Sequence, residues 1–348
     1  MTAGCDGLRV RVEGRAGWIT LNRPDALNAL TWDMCRAIDA ALDAWRDDDR
    51  VALVMIDGTG RAFCAGGDIA VMHARARAGD HAYGRDFWRE EYRLNAKLHR
   101  YPKPVVAFLH GYVMGGGVGV GCHASHRLVR DDSRVAMPEC AIGLVPDVGG
   151  SMILARAPGR LGAFLGVTGH RMGPGDAILT GFADAYVPDG WDDLKARLAE
   201  TGDVAVIAPA SAPPAPLADW RAEVDALFAG ADLADIAARA AEGSGPAAAA
   251  TRGGLARGAP LSMACTLELL RRLGPTPSLA EALAAEYRFT WRATERADFV
   301  EGIRALIVDK DRAPRWRHPG PDAVPAEAVA AMLAPLGADA TLDLEDIP

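Results

Sequence analysis

The 348-residue sequence contains no run of eighteen apolar residues, so it offers no segment that would span a bilayer as a helix. It also lacks a clustered Lys/Arg tract, and its formal charge of −8 disfavours a surface built to neutralise phosphates, so no nucleic-acid partner is expected. Its first residues, "MTAGCDGLRVRVEGRAGWITL", show neither an apolar h-region nor an Arg/Ser-rich amphipathic leader, and a cytoplasmic location is the expectation. Cysteine is sparse. The six (Cys5, Cys35, Cys64, Cys122, Cys140 and Cys265) carry no CxxC spacing, which suits small buried thiols in a reducing compartment. No HExxH or comparable ligand spacing surrounds the histidines, so no metal is expected. Neither GxGxxG nor a phosphate loop ending in Gly-Lys-Ser/Thr is present. No repeat of solenoid length is visible.

What is present is an ordinary globular balance, 50% hydrophobic and 24% charged, on a chain long enough to bury a large core. The first half alternates extended and helical signals. "GWITLNRP" reads as a strand closing in a turn, and "TWDMCRAIDAALDAWRDD" as an amphipathic helix with Thr31 as N-cap and Cys35, Ile38, Leu42 and Trp45 on one stripe. "VALVMIDG", "PKPVVAFLHG" and "HRLVRDD" read as buried strands. Each is followed by a glycine-containing loop ("TGRAFCAGGDI", "MGGGVGVG", "SRVAMPECAIGLVPDVGG") and then by a helix. These helices are expected from Ile69, through His126, and as one piece over "SMILARAPGRLGAFL". This repetition predicts an α/β domain of parallel crossover units. After about Gly202 the chain turns Ala/Pro/Gly-rich, reading as linker or loosely specified helix. From Leu261 it reads as helical, with a capping box at Ser278 and Glu281 and an i+4 stripe of Leu279, Leu283, Tyr287 and Trp291. The tail after Pro314 is Pro-rich and ends in a short apolar helix and the acidic "LDLEDIP".

In parallel α/β architecture, ligands meet the loops at the carboxyl ends of the strands. Two glycine turns that expose N–H groups there can bind one oxygen between them, and glycine lets a substrate approach closely. Taken singly, each turn is equally a device for tight strand-to-helix packing. As a set, "AFCAGGDI", "HGYVMGGGVG" and "AMPECAIGLVPDVGG", with the opening "LNRPDALNAL" and the closing "DFVEGIRALIVDKDRAPRW", resemble the crotonase (enoyl-CoA hydratase/isomerase) superfamily. The stretches "FWREEYRLN", "LGAFLGVTGHRM" and "LAEALAAEYRF" resemble its 3-hydroxyacyl-CoA hydrolase branch. The resemblance covers about residues 8–190 and 259–317. It implies a spiral of ββα units with a helical C-terminal region, divided as a core over 1–202, a variable segment over 203–258 and a helical cover over 259–348.

Carried over residue by residue, the resemblance implies that the N–H groups of Gly67 and Gly116 hold a thioester oxygen. Ala65, Asp68 and Ile69 belong to the loop that cradles CoA, Asp68 orienting it or capping the next helix. Hydratases of the superfamily use two glutamates. Here the one in the Pro-Glu loop is present as Glu139, while the position of the other is Gly119. An acid appears instead at Asp147, which implies a hydrolase pairing of Glu139 with Asp147; Asp147 is also a candidate N-cap for the following helix. Glu91 matches a carboxylate near the acyl group, although Arg89, Glu90 and Arg93 beside it equally suit a salt-bridged helix face. Lys310 or Arg312 would reach CoA phosphates or stay solvated. The implied reaction is hydrolysis of a short branched 3-hydroxyacyl-CoA, foremost 3-hydroxyisobutyryl-CoA in valine breakdown. It needs no cofactor beyond the CoA of the substrate, and a homo-oligomer is possible on this pattern. The rivals are a hydratase or isomerase acting on another acyl-CoA, and a non-catalytic CoA-binding protein.

Overall fold

The computed structural model describes residues 5–337, 340–345 and 347. The first four residues, over which no leader is expected, and Asp346 and Pro348 of the acidic end, lie outside them. Nine strands form two sheets. The larger has the order β1 (Leu8–Glu13), β2 (Ala16–Leu21), β3 (Leu53–Gly58), β5 (Val105–Leu109), β7 (His126–Val129), β9 (Ala185–Tyr186). The smaller has the order β4 (Ala62–Cys64), β6 (Tyr112–Met114), β8 (Arg134–Ala136). Among the strands of the described residues only β1 runs antiparallel, pairing Leu8 with Leu21; every later strand pairing is parallel.

The helices of the first half are α1 (Trp32–Arg46), α2 (Ile69–Arg77), α3 (Ala82–Arg100), α4 (Gly116–Gly121), α5 (Gly150–Arg156), α6 (Leu161–Thr168), α7 (Pro174–Leu179) and α8 (Trp191–Thr201). Each repeat therefore has two strands before its helix: β3–β4–α2, β5–β6–α4, and β7–β8 leading through a 3₁₀ turn at Glu139–Ile142 to α5. This is a crotonase-type α/β spiral of ββα units. The short second strands fall within the stretches expected to be loops. Three residues between glycine turns give too little alternation for a strand to be recognised. At the corner into β6, Gly111 (φ +54) comes so close to the Arg61 carbonyl that a methyl group there would lie 2.0 Å from the oxygen.

Two helices differ from expectation. The glycine-run helix ends at Gly121 rather than His126, because Ser125 exchanges hydrogen bonds with Val105 (2.9 and 3.1 Å) and turns the chain into β7. The helix over "SMILARAPGRLGAFL" is two helices, α5 and α6. Pro158 holds Ala157 extended, and Gly159 takes φ +59 between them. The N-cap at Thr31 is as expected, its side chain accepting from the Met34 N–H at 3.1 Å.

The Ala/Pro-rich stretch is ordered into α9 (Pro216–Leu227), α10 (Leu233–Glu242) and α11 (Pro246–Arg257). Then come α12 (Pro260–Leu273), α13 (Leu279–Arg296) with its Ser278–Glu281 capping box, α14 (Phe299–Ile303) and α15 (Ala326–Met332). One continuous apolar core joins the sheets, α1 and α3–α6 with these C-terminal helices. A smaller one lies under α8 on the outer face of the large sheet. The alanines of α9–α11 let helices approach closely, which is why so little side-chain patterning is visible there in sequence. Among the described residues no helix is long and apolar enough to cross a membrane.

A tight crossing lies where α4 packs on β4: a methyl on Gly117 would be 2.2 Å from the Cys64 carbonyl oxygen. Gly117→Ala is expected to destabilise the protein by about 1–3 kcal/mol, read as a lowered urea midpoint; an unchanged midpoint would contradict this packing.

Candidate active site

The site is assembled from four chain segments that meet at the start of α4. The turn after β4 places Gly66 at φ +126, and Gly67 forms an isolated bridge to Leu30. The bridge uses the Gly66 carbonyl (from Leu30 N–H, 2.9 Å) and the Asp68 N–H (to Leu30 O, 2.7 Å), which leaves the N–H of Gly67 between them uncommitted. The "LNRPDALNAL" segment supports this turn. Asn28, at φ +57, accepts from the Arg23 N–H and donates to the carbonyls of Thr59 and Ala62 (2.7, 2.9 and 2.8 Å). Ala65 N–H donates to Leu27 O at 3.0 Å. Asp68 does not cap α2: its carboxylate pairs with Arg23 at 2.9 Å and so ties the loop to this segment. Ile69 opens α2 half-buried.

Gly115, at φ +51 and ψ −122, aims α4 at that turn, and a methyl built on it would lie 3.3 Å from Gly66 Cα and 3.2 Å from Glu139 Oε1. Gly116 is the first residue of α4, so its N–H has no partner within the helix. Two free N–H groups on touching turns can hold one anionic oxygen.

Three carboxyls gather against these turns. Glu139, at the head of the 3₁₀ turn, is buried with Oε2 unpartnered; burial first, then the nearby Asp147 and Glu286, push its pKa well above the ordinary value. Asp147 accepts from the Tyr92 hydroxyl at 2.9 Å. Burial raises its pKa to about 7, with the tyrosine hydrogen bond pulling the other way. It does not cap α5; Gly149 occupies that position. Glu91, one residue before Tyr92 on α3, is buried with Oε1 unpartnered, 2.9 Å from a methyl built on Gly116, and burial and Asp147 raise its pKa well above normal. The salt-bridged face of α3 is carried by its neighbours: Glu90 pairs with Arg36, Arg89 with Asp86, and Arg93 binds the Leu342 carbonyl. Glu91 points the other way, into the protein.

A fourth carboxyl, Glu286 on α13, went unnoticed in the sequence. It accepts from the Gly149 N–H (2.8 Å), the Ser151 N–H (3.1 Å) and the Ser151 hydroxyl, capping α5 from a helix more than 130 residues further along the chain. Burial raises its pKa to about 8. Together with His123, whose Nε2 lies 2.7 Å from the Val148 carbonyl, it holds Val148 at φ +53, a conformation costly for a β-branched residue. Its only local sign was an acid inside an apolar stripe, at "AAEYRF". Cys64 and Cys140 flank the site, but burial drives both thiols up to about 12 and keeps them protonated.

Between α2 and α14 a cleft of about 480 Å³ carries His73, Arg77, Arg304, Arg315 and Arg317. Arg304 is committed to Glu301, Asp309 and Asp311, whereas Arg77 and Arg315 form no ion pair among the described residues. Lys310 and Arg312 are exposed beside this region and do not line it. A larger cleft, about 760 Å³ among α5, α6, α10 and α12, contains none of the three carboxyls.

A spiral of ββα units with glycine N–H groups facing buried acids defines a crotonase-fold enzyme. The model of the family described as enoyl-CoA hydratase/isomerase matches residues 16–333, and the chain belongs to that family. A crystal structure of an enoyl-CoA hydratase from Rhodobacter sphaeroides 2.4.1 is 58% identical, with a TM-score of 0.93 over 95% of this chain and 98% of that one. A carnitinyl-CoA dehydratase from Mycobacterium thermoresistibile is 41% identical, with a TM-score of 0.91 over 97% and 99%. Mitochondrial 3-hydroxyisobutyryl-CoA hydrolases are also similar: that of Xenopus tropicalis is 38% identical over 87% of this chain and 82% of its own, and that of Gallus gallus 35% over 93% and 88%.

The buried acids make stability pH-dependent. Folded Asp147 keeps its proton to about pH 7, whereas the unfolded chain releases it near 3.8. The unfolded state therefore binds fewer protons between these values, and stability falls as pH rises through the window. Asp147→Asn is expected to reduce the fall of urea midpoints measured from pH 5 to 8 and to exceed wild type at pH 8 by more than about 1.4 kcal/mol, the worth of one pKa unit. Parallel curves would contradict the buried placement.

Proposed function

We propose that the protein hydrolyses a short, branched 3-hydroxyacyl-CoA thioester, with 3-hydroxyisobutyryl-CoA, as formed in valine breakdown, the leading candidate. The observation that carries this reading is the pair Glu139 and Asp147, buried together beside the two glycine turns, with glycine at position 119. Addition of water across a double bond draws on two acid–base groups aligned with that bond; here the Gly119 side supplies none. The names of the hydrolase relatives point the same way, while the solved structures named as a hydratase and a dehydratase favour the rival reaction.

In this mechanism the thioester oxygen sits between the N–H groups of Gly67 and Gly116, which stabilise the tetrahedral oxyanion. Glu139 either attacks with its own carboxylate, expelling the thiolate to leave a mixed anhydride that water then cleaves to release the acid and restore Glu139, or deprotonates the water that attacks the carbonyl directly. Asp147, held by Tyr92, shares the site's proton and passes it to the departing CoA thiolate. Two such acids titrate as a pair, and this mechanism uses the state in which one is ionised and the other protonated. Ala65, Asp68 and Ile69 shape the CoA cradle, and the cleft lined by Arg77 and Arg315 takes its phosphates. No further cofactor enters. The six unpaired cysteines suit a reducing compartment such as the cytoplasm.

Purified protein is expected to release CoA thiol from 3-hydroxyisobutyryl-CoA, followed with a thiol-reactive dye, and Glu139→Gln to lower kcat by about 10³-fold or more with the fold intact by circular dichroism. Hydration of crotonyl-CoA without thiol release would overturn the hydrolase reading. Arg77→Ala combined with Arg315→Ala is expected to raise KM about 5–20-fold with kcat little changed, an effect that added salt reproduces in the wild type.

A further inference from the structure

Asn95 is a fully enclosed polar side chain near the carboxyls that the mechanism leaves unused. It is fully buried, and neither Nδ2 nor Oδ1 has a hydrogen-bond partner among the described residues. An amide buried in this way forfeits about 1–3 kcal/mol for each unpaired group. A packing position would be better served by leucine, which has a similar shape and no such cost.

Its place on α3 shows what it faces. Asn95 follows Glu91 by four residues and Tyr92 by three, so the three side chains form one ridge. Glu91 abuts Gly116, and Tyr92 holds Asp147. Asn95 abuts Gly119, where a methyl group would lie 2.8 Å from Nδ2, 3.1 Å from Oδ1 and 2.9 Å from Val148 Cβ. Position 119 is therefore more than a lost glutamate: no side chain fits there, and the wall beside it is an amide. The absent acid and the buried amide are one arrangement.

Resting on the hydrolase reading, we infer that Asn95 is a specificity-determining residue whose carboxamide, together with Glu91 Oε1, receives the 3-hydroxyl of the acyl group. A hydroxyl donates one hydrogen bond and accepts others. Among the described residues Glu91 Oε1 is a free acceptor and Asn95 Nδ2 a free donor, about one turn apart on α3. The reach is right: the 3-hydroxyl sits two carbons from the thioester carbonyl, and Gly119 lies about one helical turn, roughly 5 Å, beyond Gly116. The charge is right as well. Glu91, Glu139 and Asp147 already crowd the site, and a neutral amide adds polarity without a further negative charge. A substrate lacking the hydroxyl leaves these buried groups unpaired, which is how such sites reject close analogues.

The test compares thiol release from 3-hydroxyisobutyryl-CoA and from isobutyryl-CoA, which differ only in the hydroxyl. In the wild type the ratio of kcat/KM values is expected to favour the hydroxylated thioester strongly. Asn95→Leu is expected to lower that ratio about 10–100-fold while raising Tm, because it removes an unpaired buried amide. A merely structural asparagine would not give this combination. Asn95→Ala, which leaves space instead of filling it, is expected to lower the ratio in the same way and serves should leucine not fold. Equal losses on both thioesters, or an unchanged ratio in both variants, would overturn the assignment of Asn95 alone. A wild type that releases no thiol from either compound would overturn the hydrolase reading and this assignment with it.

Discussion

The site depends on backbone lying directly against backbone. At the start of α4, Gly117 packs on the Cys64 carbonyl, and Gly115 and Gly116 press on the Gly66–Gly67 turn with no side chain between them. Only this approach brings two free N–H groups, from turns some fifty residues apart, to one place. It also explains why a helix of six residues contains four glycines despite their cost of about 1 kcal/mol each against alanine. The conformational penalty is offset by burial within a spiral whose strands and helices surround α4.

Against this backbone frame the protein sets four buried carboxyls, Glu91, Glu139, Asp147 and Glu286, each with its pKa raised by desolvation. So many acids out of water destabilise the fold at neutral pH, and such a cluster is the pattern expected of a functional site. The four differ in satisfaction. Glu286 is fully engaged with the first turn of α5, and Asp147 takes the Tyr92 hydroxyl. Glu91 and Glu139 each retain an oxygen without a partner. The engaged acids hold the loop at Val148, and the unengaged ones face the glycine turns.

Much of this was legible in the chain. Thr31 and the Ser278–Glu281 box announced their helices through short-range hydrogen bonds, and the three buried strands were plain as apolar runs. The glycine turns and the Glu139–Asp147 pair stood in recognisable stretches. The three-residue strands β4, β6 and β8 were not legible, because strands that short take their identity from neighbours far away in sequence. Nor was the order in α9–α11, where alanine leaves no periodic stripe, or the break between α5 and α6, where one proline outweighed a favourable pattern.

By itself the sequence determined the alternation of buried strand, glycine-containing loop and helix, and which residue types stand where chemistry is possible, because these follow from local hydrogen bonding and apolar spacing; the family and its ββα spiral were readable only through the resemblance of its motifs. Tertiary structure alone decided what each group faces. It separated Glu91 from Glu90, turned Asp68 toward Arg23 and away from the helix it precedes, brought Glu286 to cap α5, and closed Gly119 with Asn95 and Val148. Each of these outcomes depends on the burial of a charge or the meeting of two surfaces distant in the chain, and neither is encoded in any one stretch of residues.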